Sequence, residues 1–277
     1  MQKPIEVILA DIDGTLIEGG DLHRSDSLLR RYIGNARKEG ICFTLSSGRC
    51  FPEQYTFFLG LINPDKPHQN EGILYEESAL RLFNQNGNAG KPIILGGLTP
   101  EQVKEINAFA DEIGLYDGLA NQENCWDYQH MIGYVTPTFI TEGRTNSDLL
   151  RRKHTQIKAA LEKRFPFVEV TRSADAVDIK SKEVSKAKQV QLYSELTGIP
   201  LEQMAYFGDS GNDLPAIRKI GHAGGYVVYV GKDPEEEKEV RHLPNYFIPE
   251  RRGPLGTVMG IENILWFNQK IKTEGDK

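Results

Sequence analysis

The chain of 277 residues is poor in cysteine and has no excess of positive charge. Its three cysteines lie far apart and form no C-x-x-C pair, which argues against a disulfide framework and against a zinc knuckle. Asp and Glu outnumber Lys and Arg by 39 to 33, and the net charge is −6. Binding to nucleic-acid phosphates or anionic lipid requires clustered basic residues, so we expect neither nucleic acid nor a membrane as a partner.

Long apolar segments are also missing. No stretch approaches the roughly 20 apolar residues of a membrane span. The apolar residues 5–10 run directly into carboxylates, unlike the apolar region of a signal peptide. With 39% hydrophobic and 26% charged residues, the composition is that of an ordinary globular protein. We therefore expect a cytoplasmic protein, as a monomer or a homodimer.

Apolar strands and amphipathic helices alternate at both ends of the chain. Residues 5–10 and 41–45 are predicted strands, and the helical spacing over 25–39 places a helix between them. This βαβ unit predicts a parallel sheet with a right-handed crossover. The alternation resumes near residue 185 with two predicted helices, 185–197 and 214–220, and two predicted strands, 204–207 and 226–230.

The middle of the chain has a different character. Residues 84–97 are rich in Asn, Gly and Pro and predict a domain boundary, after which a helix begins near Thr99. An irregular stretch, a charged helix over 147–164 and two short strands follow, which is typical of an α+β module. The predicted fold class is α/β: a doubly wound, Rossmann-like parallel-sheet core made from both ends of the chain, with an inserted α+β domain.

Two groups of carboxylates follow predicted strands. The first strand ends at Asp11-Ile12-Asp13-Gly14-Thr15-Leu16, where the strand period places both acids on one side. Gly208-Asp209-Ser210-Gly211-Asn212-Asp213 stands where another strand ends and a helix begins. Such acids suit a hard cation that prefers oxygen ligands, although a turn or an N-cap also explains each group alone.

Groups that complement a phosphate complete the pattern. Ser47 and Gly48 follow the second strand and lie near a helix start, which suits phosphate oxygens. Lys186 opens a helix, where a cation is unfavourable to the helix dipole and therefore suggests a further role. In open α/β sheets ligands bind at the carboxyl ends of the strands, so these signals predict one shared site.

Together these elements resemble the haloacid dehalogenase superfamily, whose four motifs correspond here to residues 11–16, Ser47, Lys186 and residues 208–213. The long insertion resembles the large α/β (type IIB) cap of the subgroup that contains sugar-phosphate, mannosyl-3-phosphoglycerate and phosphoglycolate phosphatases. The resemblance implies a core of residues 1–85 and 182–277 and a substrate-specificity cap of residues 86–181. It further implies a Mg²⁺-dependent phosphatase acting on a small phosphorylated metabolite through an aspartyl phosphate.

The same resemblance assigns a role to each motif residue. Asp11 is the implied nucleophile and Asp13 the acid and base, while Ser47, Gly48 and Lys186 bind the phosphoryl oxygens. The implied Mg²⁺ ligands are Asp11, Asp13 through its backbone carbonyl, Asp209 and, as a further candidate, Asp213. Specificity would come from cap residues, for which the candidates are Asn124, Trp126, Arg144, Arg172 and Asp178.

The chain departs from the family pattern in two places. Lys186 is followed by Ala187 in place of the usual glycine, and three nearby lysines, Lys180, Lys182 and Lys188, are alternatives for its role. The usual Asn-Gly after the third strand is Glu71-Gly72.

Two other functions remain open from the sequence. A phosphomutase of the same superfamily shares the core and the first motif but carries a longer, glycine-rich fourth motif. A receiver-like module also holds an aspartyl phosphate but lacks both a cap and an acid two residues after the nucleophile.

Overall fold

The computed structural model describes residues 3–18, 22, 27–121, 131–135, 147–172 and 176–275. It divides into two compact units, one made of residues 1–94 and 186–277 and the other of residues 95–185. The predicted fold class is confirmed, because the first unit is an α/β structure built on a mainly parallel sheet and the second is α+β. No helix in the described ranges combines the length and apolarity needed to cross a bilayer.

The first unit is built on an eight-stranded sheet. In chain order the strands are β1 (Val7–Ala10), β2 (Cys42–Ser46), β3 (Gly72–Tyr75), β4 (Ala79–Leu82), β5 (Ile93–Ile94), β10 (Met204–Gly208), β11 (Tyr226–Tyr229) and β12 (Tyr246–Phe247). Its helices are α1 (Ser27–Lys38), α2 (Phe51–Ile62), α5 (Lys186–Thr197), α6 (Leu214–His222), α7 (Pro234–Val240) and α8 (Gly253–Gly275), with a 3-10 turn at Leu201–Gln203.

Helices cover both faces of this sheet. Successive residues of a strand point to opposite faces, and in β1 Ile8 belongs to one core cluster while Leu9 belongs to the other. The first cluster is closed by α1, α2 and α8 and the second by α5 and α6. Because both faces are covered, the central strands are apolar along their whole length, as parallel strands require.

The strand order places a topological switch point at the centre of the sheet. The order is β12-β11-β10-β1-β2-β3-β4-β5, so the chain winds outward in opposite directions from β1 and β10. These two strands are parallel neighbours, with Ala10 level with Phe207. Crevices at the carboxyl ends of such strands are where open α/β sheets bind ligands.

The second unit has its own core. Its strands β6 (Ala120–Asn121), β7 (Met131–Val135), β8 (Val168–Arg172) and β9 (Ala176–Ser181) form an antiparallel sheet in the order β6-β7-β9-β8. Its helices are α3 (Pro100–Glu112) and α4 (Ser147–Arg164). Thr99 and Gln102 form a capping box that begins α3, and buried Ile106, Ile157 and Ile179 pack in the shared core.

Some elements differ from the sequence-based expectation. Residues 84–97, predicted to be a boundary segment, contain the division between the two units after Ile94, and they also contain β5, which extends the first sheet. Strand β4 was not predicted, because the turn before it, Glu76-Glu77, has positive φ at both residues without the Asn-Gly that usually marks such a turn.

A buried ion pair fixes the start of β3. The Arg37 side chain on α1 donates to both carboxylate oxygens of Glu71, at 2.7 and 3.1 Å. Glu71 is fully buried and also accepts from the backbone N–H groups of Phe43 and His68. The family's Asn-Gly follows the third strand, but Glu71 precedes β3, so the sequence-based match of Glu71-Gly72 to that pair is wrong; the contacts of Glu71 are with the scaffold.

Replacing Glu71 with Ala should therefore lower the free energy of unfolding by about 3–5 kcal/mol, because it leaves a buried guanidinium without its main counter-charge. Urea unfolding of Glu71→Ala measures this loss. Asp65→Ala is the matched control, since Asp65 contacts the same guanidinium at 3.4 Å but is half exposed, and should cost less than about 1 kcal/mol. Equal losses in the two variants would contradict the assignment.

Candidate active site

Asp11 lies at the switch point. It directly follows β1 and its backbone N–H donates to Phe207 O at 3.0 Å, which ties it to the neighbouring strand β10. The residue is buried. Its Oδ1 atom accepts a hydrogen bond from Lys186, whereas no donor in the described part of the chain contacts Oδ2. One carboxylate oxygen of Asp11 is therefore held and the other is available.

Lys186 joins two of the predicted carboxylates. Its ammonium Nζ donates to Asp11 Oδ1 and to Asp213 Oδ1, at 2.7 Å each, and its side chain is fully buried. Burial acts to lower the pKa of Lys186, but the charges of Asp11 and Asp213 outweigh it and raise that pKa well above its usual value. Lys186 is therefore a fixed positive charge beside Asp11.

Asp213 is held by four donors. Lys186 Nζ and the Tyr206 hydroxyl, at 3.0 Å, contact Oδ1, while the backbone N–H groups of Asp209 and Ser210 donate to Oδ2 at 3.0 and 3.3 Å. A carboxylate offers about four acceptor positions, so the protein itself fills those of Asp213. Asp213 therefore holds both the loop that carries Asp209 and the ammonium of Lys186 in place.

Asp209 faces the first motif. Its Oδ1 atom accepts from the Thr15 hydroxyl at 3.1 Å. Its Oδ2 atom lies against Gly14, where an added β-carbon would be only 2.1 Å away. Gly14 also has φ of +78°, so both the backbone conformation and the close approach of Asp209 require glycine.

Asp11 and Asp209 could hold a metal ion, with the carboxylate of Asp213 beside them. Asp11, Asp209 and Asp213 each place one oxygen so that all three oxygens lie within 4.8 Å of one another. Burial and, next, the charge of Asp213 raise the pKa of Asp209 to about 7. Burial also raises the pKa of Asp11 well above its usual value despite the opposing charge of Lys186. One lysine does not offset three confined carboxylates, and their oxygens are the ligands that hard divalent cations prefer.

Asp13 has a different partner from Asp11. Both of its oxygens accept from the Arg49 guanidinium, at 2.7 and 2.8 Å, and the side chain is nearly half exposed. Glu53, one turn along α2, contacts the same guanidinium at 3.4 Å. Arg49 therefore orients the Asp13 carboxylate by a planar, two-pronged contact.

Ser47 and Gly48 lie in the loop that follows β2, next to β1. Ser47 is buried and its hydroxyl accepts from Arg49 N at 3.4 Å. The buried Gln54 side chain donates to the backbone carbonyls of Ser47 and Arg49, at 3.1 and 2.6 Å, and so holds the loop from beneath. Among the described residues, no neighbouring atom lies within 4 Å of a β-carbon placed on Gly48, so this part of the loop has room beside it.

The structure separates the four candidate lysines. Lys186 is the one in contact with Asp11. Lys180 lies 3.9 Å from Glu169 and Lys182 donates to Pro166 O, both within the second unit, while Lys188 is exposed. Of the proposed specificity residues, Asn124, Trp126 and Arg144 lie outside the described residues.

Several side chains of the site were not found from the sequence. Thr15, Arg49 and Tyr206 each contact a carboxylate of the site. Thr15 and Arg49 belong to the motifs but carry no separate signal, since hydroxyls and arginines are common in turns. Tyr206 lies in a strand of large buried residues, and nothing in the sequence marks its hydroxyl as part of the site.

Comparisons with known proteins agree on one family. Residues 144–236 match the haloacid dehalogenase-like hydrolases. The chain is 25% identical over 215 residues to a phosphoglycolate phosphatase of Thermoplasma volcanium, covering 76% of this chain and 80% of that one. It is also 25% identical over 247 residues to a 5-amino-6-(5-phospho-D-ribitylamino)uracil phosphatase of Escherichia coli, covering 82% and 89%.

Solved structures share the fold. The crystal structure of protein 0175 of Thermoplasma acidophilum superposes with a TM-score of 0.68 and 15% identity, over 95% of this chain and 99% of that one. At 15% identity, this structural similarity is evidence of a shared fold only.

The raised pKa of Asp209 makes stability depend on pH and on divalent cation. Without a cation, folded Asp209 keeps a proton between its unfolded pKa of 3.8 and its folded pKa of about 7, so its contribution to stability is lost as the pH rises through this window. A cation requires the deprotonated form, so protons compete with it at pH 5 but not at pH 8. We expect 5 mM Mg²⁺ to raise Tm more at pH 8 than at pH 5, by about 2–4 °C for each kcal/mol of binding energy regained.

Scanning calorimetry at the two pH values, with and without Mg²⁺, measures this difference. The control is Asp209→Asn, which removes one titrating cation ligand and should reduce both the Mg²⁺ effect and its pH dependence, leaving the part that comes from Asp11. An equal Mg²⁺ effect at pH 5 and pH 8 in the unaltered protein would contradict the assignment.

Proposed function

We propose that this chain, which belongs to the haloacid dehalogenase superfamily and is a phosphatase, hydrolyses the phosphomonoester of a small metabolite with Asp11 as nucleophile. One observation carries the proposal. The buried Asp11 carboxylate is held by Lys186 through Oδ1, and Asp209 and Asp213 place oxygens within 4.8 Å of it. A free carboxylate oxygen beside a fixed cation and a set of metal-ligand oxygens suits attack on a phosphorus atom.

The reaction divides into two displacements at phosphorus. In the first, Asp11 Oδ2 forms a bond to phosphorus while the bond to the ester oxygen breaks, and Asp13 gives its proton to that oxygen. In the second, Asp13 takes a proton from water, which attacks the aspartyl phosphate and releases inorganic phosphate and free Asp11. A single carboxylic acid thus serves both halves, and each half is easier than direct hydrolysis.

Arg49 sets the orientation of Asp13 in this scheme. It grips both oxygens of the Asp13 carboxylate, so one of these contacts must give way when Asp13 carries its proton. The nearly half-exposed position of Asp13 leaves it able to meet a substrate oxygen from solvent.

The remaining residues bind the phosphoryl group. Lys186 is buried and charged, and Ser47 and Gly48 add a hydroxyl and an open backbone at the neighbouring strand end. Negative charge spreads over the equatorial oxygens during transfer, so donors fixed in advance stabilise it. Mg²⁺, held by Asp11, Asp209 and the Asp13 carbonyl, with Asp213 nearby, would offset the charge that keeps a carboxylate from approaching a phosphate.

The substrate class follows from the curated relatives, which are named for a phospho-acid and for a phosphorylated ribityl compound. Both are small phosphomonoesters. We propose a sugar phosphate or a phospho-acid as substrate, with specificity determined by the inserted residues 86–181 acting as a cap.

Hydrolysis of a panel of small phosphomonoesters tests the function. The panel contains phosphorylated sugars, phosphoglycolate and mannosyl-phosphoglycerate, with Mg²⁺ present and phosphate release as the readout. We expect hydrolysis by the unaltered protein and a loss of about 10⁴-fold or more in Asp11→Asn, because the amide is not a nucleophile.

Asp65→Asn is the matched control, as it changes an acid outside the site and should keep full activity. Product analysis also separates the rival function, since a phosphomutase would yield an isomeric sugar phosphate in place of free phosphate. Retained hydrolysis in Asp11→Asn, or isomerisation without phosphate release, would refute the proposal.

A further inference from the structure

Tyr206 brings a hydroxyl into a largely apolar layer. It lies in β10 with its side chain fully buried, among core residues that include Leu9, Val190 and Val227. Its hydroxyl lies 3.0 Å from Asp213 Oδ1 and 3.3 Å from Ser46 Oγ. A buried hydroxyl is costly unless it is hydrogen-bonded, so the pairing with Asp213 and Ser46 is what makes tyrosine acceptable there.

The direction of these hydrogen bonds follows from proton counting. A phenol has one proton and cannot donate it to both neighbours. The carboxylate is charged and is also the closer acceptor, so the phenol donates to Asp213. The Ser46 hydroxyl then donates to the phenol oxygen, and the order of donation runs from Ser46 through Tyr206 to Asp213.

The phenol bridges the strands on either side of Asp11. Tyr206 pairs with Leu9 of β1, and Leu9 pairs with Thr44 of β2. Ser46 lies two residues beyond Thr44 and so shares its face of the sheet. The Tyr206 hydroxyl therefore spans β1 to reach Ser46 on β2, close to the end of β1 that Asp11 follows.

We propose that Tyr206 is a positioning residue that holds Asp213, and through Asp213 the ammonium of Lys186, for phosphoryl transfer. This inference rests on the proposed function. Lys186 has two anionic partners at equal distance, Asp11 and Asp213. When a phosphoryl group reaches Asp11, the ammonium must turn toward its oxygens while staying bound to Asp213. Without the phenol, Asp213 keeps its two backbone donors at Oδ2, but Oδ1 can shift with the lysine and holds the ammonium less firmly.

Tyr206→Phe tests the proposal because it removes one oxygen atom and keeps the ring. Its matched control is Tyr193→Phe, another fully buried tyrosine of the same core cluster, whose hydroxyl donates to Asn70 O. Each variant loses one buried hydroxyl with two hydrogen bonds, since Thr44 also donates to the Tyr193 hydroxyl, so both should show a similar fall in Tm, about 4–8 °C.

Turnover and ligand binding should separate the two variants. We expect kcat of Tyr206→Phe to fall about 10-fold to 100-fold with KM nearly unchanged. Losses of this size are typical when a residue that orients a metal ligand through a hydrogen bond is removed. Tyr193→Phe should stay within about 2-fold of the unaltered protein. Calorimetric titration with inorganic phosphate in the presence of Mg²⁺ should show about 10-fold weaker binding in Tyr206→Phe and no change in Tyr193→Phe.

A second variant covers the case in which Tyr206→Phe does not fold. Ser46→Ala removes the other hydrogen bond of the phenol and should lower kcat in the same direction by about 2-fold to 5-fold. Equal kcat and equal phosphate affinity in the Tyr206→Phe and Tyr193→Phe variants would overturn the proposal, as would an unaltered kcat in Ser46→Ala if Tyr206→Phe does not fold.

Failure of the proposed function would look different. If the unaltered protein hydrolyses no phosphomonoester, the proposed function is wrong, yet the phosphate titration still compares the two tyrosine variants. If the unaltered protein binds no phosphate with Mg²⁺ present, the positioning role is overturned as well.

Discussion

The buried ion pairs of Lys186 hold the candidate site together. One ammonium, closed off from solvent, lies 2.7 Å from both Asp11 and Asp213. Removing such a charge from water is costly and is repaid only when the geometry and the remaining hydrogen bonds are complete. That requirement explains why Asp213 is surrounded by donors from the protein and why Asp209, on the same loop, is tied to Thr15 of the first motif.

The fold supplies these residues from distant parts of the chain. Asp11 and Asp209 follow adjacent parallel strands at the switch point, and Lys186 opens a helix that packs on the same sheet. Two glycines allow the close approach. A β-carbon on Gly14 would meet Asp209 at 2.1 Å, and one on Gly208 would meet the Asp213 side chain at 2.6 Å. The turns after β1 and β10 are therefore shaped by the carboxylates they bring together.

Much of this could be predicted from the sequence because the strong signals are local. The apolar strands that precede Asp11 and Asp209 are short and continuous, and a glycine lies in the turn after each, so their type and their ends were clear. Strand β4 was missed because its turn uses Glu76 and Glu77 at positive φ, where glycine or asparagine is expected.

Tyr206 was missed for another reason. Its partners Ser46 and Asp213 come from a different strand and from a loop, and no pattern within β10 distinguishes a tyrosine whose hydroxyl is hydrogen-bonded from one that only packs. Glu71 was noticed as a departure, but its pairing with Arg37 depends on how α1 lies on the sheet.

We propose that Asp11 is the nucleophile that attacks phosphorus and that it shares a divalent cation with Asp209. A crystal structure of the protein with Mg²⁺ and beryllium fluoride, which mimics a phosphoryl group on a carboxylate, tests it most directly. We predict a fluoroberyllate bonded to Asp11 Oδ2, with one Mg²⁺ bound by Asp11 and Asp209 and with Lys186 donating to a fluoride. A fluoroberyllate on another residue, or Mg²⁺ bound away from Asp11 and Asp209, would contradict the account.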